Sequence, residues 1–340
     1  MFFRIKNDID VKFIVIGKEE TYSLTVSKKM LFGEFKKRVS SMISIPVDEF
    51  RVSRGTMNWK IEVKNEKETL EECKISEYSK LIIEKGKPLK EGESILKFHL
   101  FDPLNKRGKE AFEEVFESSV TEEMTIVDLK QKLVQQLKSE KNIEIEPKKL
   151  RLREMYSKTP SKIYKDKNTM KDSSNVIYSG KSLAMQELDH EEDVKEDWDI
   201  AIFIQQWFPS KYEVGAKIEL TLDERQPVSA LKNLLCEKYG IKNIGIAKVM
   251  GSWPGPDLLD IPDLYWNKEI PEWQGEGKSG SIGHTPYYLR DGDVLMFKDN
   301  DEIEKELTKE EKAKMEKEAN IKKRPTYYAK EEALHINAKV

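Results

Sequence analysis

The chain has 340 residues, of which 38% are apolar and 36% charged, and its 59 basic against 62 acidic side chains leave a formal net charge of -3. That length predicts two to three domains with several small cores, and the near-neutral balance excludes the basic face expected of a nucleic-acid binder. No run of eighteen apolar residues is present to span a membrane, the N-terminal MFFRIKNDID lacks a signal-peptide core, and two cysteines, Cys73 and Cys236, exclude a disulfide framework and predict a reducing cytoplasmic or nuclear compartment.

Residues 9–86 form the first unit. Val11, Phe13 and Val15 alternate, as do Tyr22, Leu24 and Val26, and the turn-like GKEE between them predicts a hairpin. Ser27 is placed to cap a helix carrying Leu31, Phe35, Val39 and Met42, and Pro46 separates that helix from a third strand, FRVSRG. Leu81, Ile82 and Ile83 supply the closing strand, and GKPLKEGES after them reads as a short flexible linker.

The second unit spans 94–206. Leu96, Phe98 and Leu100 share one strand face, and Phe112 to Val120 partly alternates. Thr125 and Asp128 form a capping pair ahead of Ile126, Leu129, Leu133 and Leu137, one apolar stripe of a helix. Beyond Pro147, Leu150 and Leu152 alternate with Arg151 and Arg153, which predicts a strand with the leucine face buried and the arginine face in water. The polar stretch from Tyr156 to Asn175 and the acidic DHEEDVKED read as solvated loops, and Trp198 to Ile204 as the closing strand.

The third unit covers 212–300. Ile218, Leu220 and Leu222 alternate, Pro227 suits a first helical position, Val228, Leu231, Leu235 and Tyr239 make the stripe, and Gly240 sits as the C-terminal cap. A loop rich in Pro, Gly and Trp runs from Gly251 to Pro286, and YYLRDGDVLMFKD follows as hairpin-like closing strands. Residues 301–340 are almost wholly charged at first. Thr308 and Glu311 form a capping box for an exposed helix that ends at Pro325, and the tail carries Tyr327, Tyr328, Leu334 and Ile336, either to dock on the third unit or to bind a partner.

Strand, strand, helix, strand thus recurs three times, and with the GKSL turn before the last strand of the second unit it resembles the ubiquitin fold, a β-grasp in which a sheet wraps one helix. The expected class is α+β: tandem ubiquitin-like β-grasp domains followed by a charged C-terminal helix and tail. The run YYLRDGDVLMFKDNDEIEKELTKEEKAKMEKEANIKKRPTYYAKEEALHI, from about Leu289 to Ile336, is similar to the C-terminal end of ubiquitin-specific proteases, in which a catalytic domain precedes tandem ubiquitin-like domains. The resemblance implies a non-catalytic module that recruits substrates or modulates the protease, with partners among ubiquitin-pathway proteins, a deubiquitinase catalytic domain included. It implies a fragment or separately encoded piece of such a protease; a stand-alone ubiquitin-pathway scaffold is the alternative. A conjugated modifier does not fit the ending Asn337-Ala338-Lys339-Val340, which lacks Gly-Gly.

The chemistry of that family would need a Cys box and a His box, and neither has a counterpart here. Cys236 lies about nine residues inside its predicted helix, and Glu71 and Glu72 before Cys73 would raise a thiol pKa. His99, His190, His284 and His335 have no metal-ligand spacing, and GEGKSGSIG (275–283) reads as a flexible loop rather than a phosphate loop. No catalytic residue, cofactor or metal site is therefore expected. The candidates for partner binding are Trp253, Tyr265, Trp266 and Trp273 in the long loop and Tyr327 and Tyr328 in the tail, with pinning of the loop as the competing role for the tryptophans.

Overall fold

The computed structural model describes residues 7–56, 59–90, 92–106, 108–173, 177–250, 253–266 and 268–323. Its elements in chain order are β1 (Asp8–Val15), β2 (Thr21–Ser27), α1 (Phe32–Ile43), β3 (Phe50–Thr56), β4 (Trp59–Glu62) and β5 (Lys80–Lys85); then β6 (Glu93–Phe101), β7 (Phe112–Thr121), α2 (Ile126–Lys141), β8 (Leu150–Tyr156), β9 (Thr159–Tyr164), α3 (Met170–Ser173) and β10 (Ser182–Glu187); then β11 (Asp199–Phe208), β12 (Glu213–Asp223), α4 (Val228–Tyr239), β13 (Ile244–Lys248), β14 (Val294–Asp299) and α5 (Lys309–Lys323). Three sheets result, of order β2-β1-β5-β3-β4, β7-β6-β10-β8-β9 and β12-β11-β14-β13. The chain divides into two compact units, one of Met1–His99, Glu114–Pro147 and Asp166–Leu183, the other of Leu100–Glu113, Lys148–Lys165 and Ala184–Val340.

In the first sheet β1 runs antiparallel to β2 and parallel to β5, with Phe13 opposite Tyr22 on one side and Leu81 on the other. Val11, Phe13 and Val15 meet Phe32, Phe35 and Val39 of α1, and Phe50, Val52, Leu81 and Ile83 complete that core. The helix starts later than Ser27 suggests. Its N-cap is Leu31, without a side-chain bond, and the Ser27 hydroxyl instead accepts the Lys29 N–H at 3.3 Å. The stripe facing the sheet is Phe32, Phe35, Val39 and Ile43, so Leu31 and Met42 fall on the exposed side. The segment after β5 is not a free linker: Leu89 is buried and its N–H donates to the Glu62 carboxylate at 3.1 Å.

One backbone device occurs in all three repeats. Leu31 bridges Thr69, Thr125 bridges Thr169 and Pro227 bridges Ser281, each antiparallel. Around each bridge the first helical N–H (Phe32, Ile126, Val228) donates to the carbonyl before the bridge (Glu68, Asn168, Gly280) at 2.8–3.0 Å, and the N–H after the bridge (Leu70, Met170, Ile282) donates back to Met30, Met124 or Gln226. The helix N-terminus, whose N–H groups lack intrahelical partners, is thereby tied to a distant turn that also buries Leu70, Met170 or Ile282. In the first two repeats a buried lysine of the helix reaches that turn as well, Lys36 to Glu66 and Lys130 to Asp166, both at 2.6 Å.

Two expectations for the second repeat fail. The polar stretch after Tyr156 is β9, hairpin partner of β8, followed by the short α3, rather than a loop. The apolar run after Trp198 does not close this sheet; β10 lies between β6 and β8, and β11 pairs antiparallel with β12 and parallel with β14. The reason is burial on both faces of β11. Ile200, Ile202 and Ile204 pack with Val228, Leu231 and Leu235 of α4, while Phe203 and Trp207 face a second, aromatic cluster, so β11 serves as a central strand.

In the third sheet the antiparallel partner of β14 is β13, with Ile246 opposite Phe297, and not Tyr287–Arg290, which is irregular. Gly240 closes α4 in the left-handed conformation (φ 67°) as its position implies, and Pro227 is the N-cap rather than the first helical residue. The capping box of α5 is present, Glu311 accepting the Thr308 N–H at 2.9 Å and donating its own to Thr308 Oγ1 at 3.2 Å. That helix is not wholly exposed: Leu307 before it and Met315 within it pack against the aromatic cluster.

Candidate partner-binding surface

The long loop between β13 and β14 carries four of the six aromatic candidates. Trp253 is only 7% exposed, its ring centroid 5.1 Å from Phe203 and 5.2 Å from Phe101, with Phe112 at 6.3 Å. Its Nε1–H donates to the Gly108 carbonyl at 3.3 Å, and the Lys217 ammonium lies 4.1 Å from its ring centroid. Trp253 is thus a pin in the core, not a surface for a partner. Trp266 is a half-buried second pin, donating to the Ile261 carbonyl at 3.0 Å with the Lys298 ammonium 4.7 Å from its ring. Tyr265 and Trp273 remain open, at 69% and 47% exposure. Tyr327 and Tyr328 lie outside the described residues.

Near Tyr265 the structure adds apolar groups that sequence spacing did not single out. Met250, 84% exposed, and Tyr288 line a shallow groove of ≈ 390 Å³ with Pro286 and Lys268. Lys268 donates to the Pro286 carbonyl at 3.3 Å and stands 5.5 Å from the Tyr265 ring centroid; Lys248 on the groove wall is held by Asp293 at 2.6 Å and the Tyr288 carbonyl at 2.7 Å. Exposed aromatic and thioether groups beside satisfied ammoniums favour protein contact over proton chemistry. The glycine-rich segment expected to be flexible is built in: Ser281 is buried, and a Cβ on Gly280 (φ +85°) would come within 2.9 Å of the Pro271 carbonyl oxygen and of Trp273 Cα. Only glycine allows that approach, which holds the backbone of Trp273.

The arginine face of β8 is buried, against expectation. Arg151 is 1% exposed and Arg153 0%. Arg151 donates to Glu192 through Nε at 3.0 Å and Nη2 at 2.5 Å, to Asp193 at 2.6 Å, and lies 3.1 Å from Glu219. Arg153 donates to Gln186 at 2.9 Å and to Glu219, and its guanidinium stacks 5.5 Å from the Phe203 ring centroid. Burial and the neighbouring Arg151 pull the Arg153 guanidinium down to about 9, still charged at neutral pH, with Asp291 and Glu192 opposing the shift. Part of the acidic stretch read as solvated is therefore structural: Glu192 is buried as the counter-charge of Arg151. A pair of arginines two apart in a strand with an acidic run some forty residues on was the available signal, and it does not say which face is covered.

The environment of Cys73 is the opposite of activating. Cys73 is buried, and burial first, then Glu68 at 3.6 Å from its sulfur, pushes the thiol up to about 11; Glu72 adds to this, as its place in the sequence suggests. Cys236 sits half-buried within α4, where its carbonyl accepts the Gly240 N–H. His190 contacts Asp189 at 2.5 Å, and buried His99 stands 3.4 Å from Ser182 Oγ. Among the described residues no group of three or more His, Cys, Asp and Glu side chains is arranged to hold a metal ion, and no helix is long and apolar enough to cross a membrane.

A helix inserted between the second and third strands and the recurrent bridge in all three repeats, with a first strand parallel to the last in the first and third, together define tandem ubiquitin-like β-grasp folds. The sequence model described as ubiquitin carboxyl-terminal hydrolase 47 C-terminal matches residues 100–337, and the chain belongs to that family. It is 27% identical over 326 residues to ubiquitin carboxyl-terminal hydrolase 47 of Xenopus laevis, covering 92% of this chain and 23% of that protein. The Homo sapiens protein is 27% identical over 323 residues, covering 92% and 22% respectively. The chain thus spans less than a quarter of the length of these curated relatives. Among solved structures, the C-terminal ubiquitin-like domain of mouse tubulin-specific chaperone e is 16% identical, covering 25% of this chain and 92% of that one at a TM-score of 0.22. The UBL domain of Plasmodium falciparum Dsk2 is 18% identical, covering 23% and 99% at a TM-score of 0.20. The β-grasp assignment rests on the strand order and bridges, not on these scores.

Proposed function

We propose that this chain is a non-catalytic ubiquitin-like module of a ubiquitin-specific protease, acting by protein–protein contact to recruit substrates or to modulate a deubiquitinase catalytic domain in the cytoplasm or nucleus. The observation that carries the reading is the match of residues 100–337 to the C-terminal region of that family. Two physical features support it. Cys73 is buried with its thiol pushed up to about 11, the reverse of what a cysteine nucleophile needs, and open side chains such as Tyr265 and Trp273 are of the kind that anchor protein interfaces. The domain limits belong to the same proposal, as 9–86, 94–198, 199–300 and 301–340: the second boundary moves from 206 to 198 because β11 (Asp199–Phe208) pairs in the third sheet. The test is incubation of the chain with ubiquitin bearing a C-terminal electrophile. No adduct is expected, and covalent capture at Cys73 or Cys236 would overturn the reading.

A further inference from the structure

Three sheets leave six edge strands among the described residues, and five of them are guarded. β4 carries Lys60 and Glu62, β7 carries Glu113, Glu114 and Glu117, β9 carries Pro160 and Lys162, β12 carries Lys217 and Glu219 beside a register shift, and β13 is five residues long with Gly245 and Lys248. Charges, proline, irregular register and shortness are the usual means of keeping an edge from pairing. β2 has none of them. Its seven residues, Thr-Tyr-Ser-Leu-Thr-Val-Ser, are uncharged, rich in strand formers and in unbroken register with β1 from Ser27 to Thr21.

The direction of its backbone groups follows from one bond. Lys28 N–H donates to the Asn7 carbonyl at 2.8 Å, one step beyond the Asp8–Ser27 pair. Pairs alternate along an antiparallel ladder, so Val26, Leu24 and Tyr22 face β1, while Thr21, Ser23 and Thr25 point their N–H and C=O groups off the sheet. On the core side Tyr22 and Leu24 are half-buried and pack at the margin of the core. Glu19 and Glu20 precede this edge and Lys28 and Lys29 follow it.

We propose that β2 is a docking edge for an extended peptide segment of a protein partner, which adds antiparallel to it as a further strand. The proposal rests on the reading that the chain works by protein contact and names the means. Antiparallel addition brings the N-terminal end of the incoming strand to Lys28 and Lys29 and its C-terminal end to Glu19 and Glu20. The segment that fits therefore has acidic residues before, and basic residues after, about five residues of alternating β-branched character, whose core-side members extend the apolar surface of Tyr22 and Leu24.

The test uses the full chain and two synthetic peptides of one composition, acetyl-EEVTVTVKK-amide and acetyl-KKVTVTVEE-amide. The first is expected to slow hydrogen exchange at the Thr21, Ser23 and Thr25 amides by about tenfold or more and to bind more tightly than the second. Ser23→Pro removes an outward N–H and leaves the β1 ladder intact, so it should weaken the first peptide about tenfold, whereas Ser23→Ala should bind as the unaltered chain does. Unchanged exchange at these amides, or equal binding of both peptides, would overturn the proposal. So would concentration-dependent protection of the same amides without peptide, which would assign the edge to a second copy of the chain. None of these results bears on Cys73 or Cys236, whose capture by electrophilic ubiquitin is the separate failure of the non-catalytic reading.

Discussion

Arg151 of β8 and Glu192 of the acidic loop, 41 positions apart, form a buried ion pair in which two guanidinium nitrogens face one carboxylate at 2.5–3.1 Å. The pair decides the fate of a strand face that period-two alternation assigns to water. A buried charge is tolerated only beside its counter-charge, and loss of one partner leaves the other desolvated.

Glu192→Ala is accordingly expected to destabilise the chain by about 3 kcal/mol, read from urea unfolding followed by tryptophan fluorescence. Glu191→Ala is the control, since its contact with Lys148 is exposed; that change should stay within about 0.5 kcal/mol. Equal effects would mean that the acidic run acts only as solvated charge.

Trp253→Ala removes a ring packed against Phe101, Phe112 and Phe203 and should cost about 3–5 kcal/mol. Tyr265→Ala, on the same loop but exposed, should change stability by less than about 0.5 kcal/mol. Thermal melts of both variants, side by side, check the division of that loop into pins and open groups.

The folded thiol of Cys73 is raised to about 11 from an ordinary value of 9.0, mainly by burial. A group raised in the folded state contributes its stability below its unfolded value and loses it as pH rises through the folded one. Stability should therefore fall between about pH 9 and 11 in the unaltered chain, and fall less in Cys73→Ala. Alkylation by iodoacetamide near neutral pH should reach Cys73 far more slowly than a small free thiol; a fast reaction would contradict its burial.

Glu311 is lowered to about 2, first by Lys305 at 2.8 Å and then by the Thr308 N–H. Here the sign is the opposite: the capping contribution is present above the ordinary value of 4.5 and is lost as pH falls through about 2. A carboxyl-carbon NMR titration should place the Glu311 midpoint well below the ordinary 4.5. Protonation near 4.5 would show that the box does not form.

Thr169→Ala removes the hydroxyl that accepts the Asp172 N–H at 3.3 Å and donates to its carboxylate at 2.7 Å, beside the bridge to Thr125. Loss of about 1 kcal/mol is expected in urea unfolding. A neutral result would mean that the bridge alone holds the N-terminus of α2.

Local chemistry made much of this architecture legible. The cap Thr125, the stripe Ile126, Leu129, Leu133 and Leu137, the stop at Gly240 and the box Thr308–Glu311 each depend on residues within a few positions of one another, and each stands where its spacing implies. The resemblance to the family lay in the residues around β14 and α5. The turn motifs at Thr69 and Thr169 were equally local, with acids three residues on, and mark the bridges once the pattern is known.

The sequence by itself determined where helices α1, α2, α4 and α5 lie, though not β9 or α3, which apolar stripes the sheet-facing helices carry, and that a two-strand, helix, strand order repeats, because those properties arise from side-chain period and capping over short spans. Tertiary structure alone decided that β11 belongs with β12 and β14, that Arg151 and Arg153 lie in the interior, and that Trp253 fills a core while Tyr265 stays open. Periodicity reports that a face needs covering or can bear solvent. What covers it, and which charge neutralises another, depends on groups brought together from distant positions by the closing of the sheets.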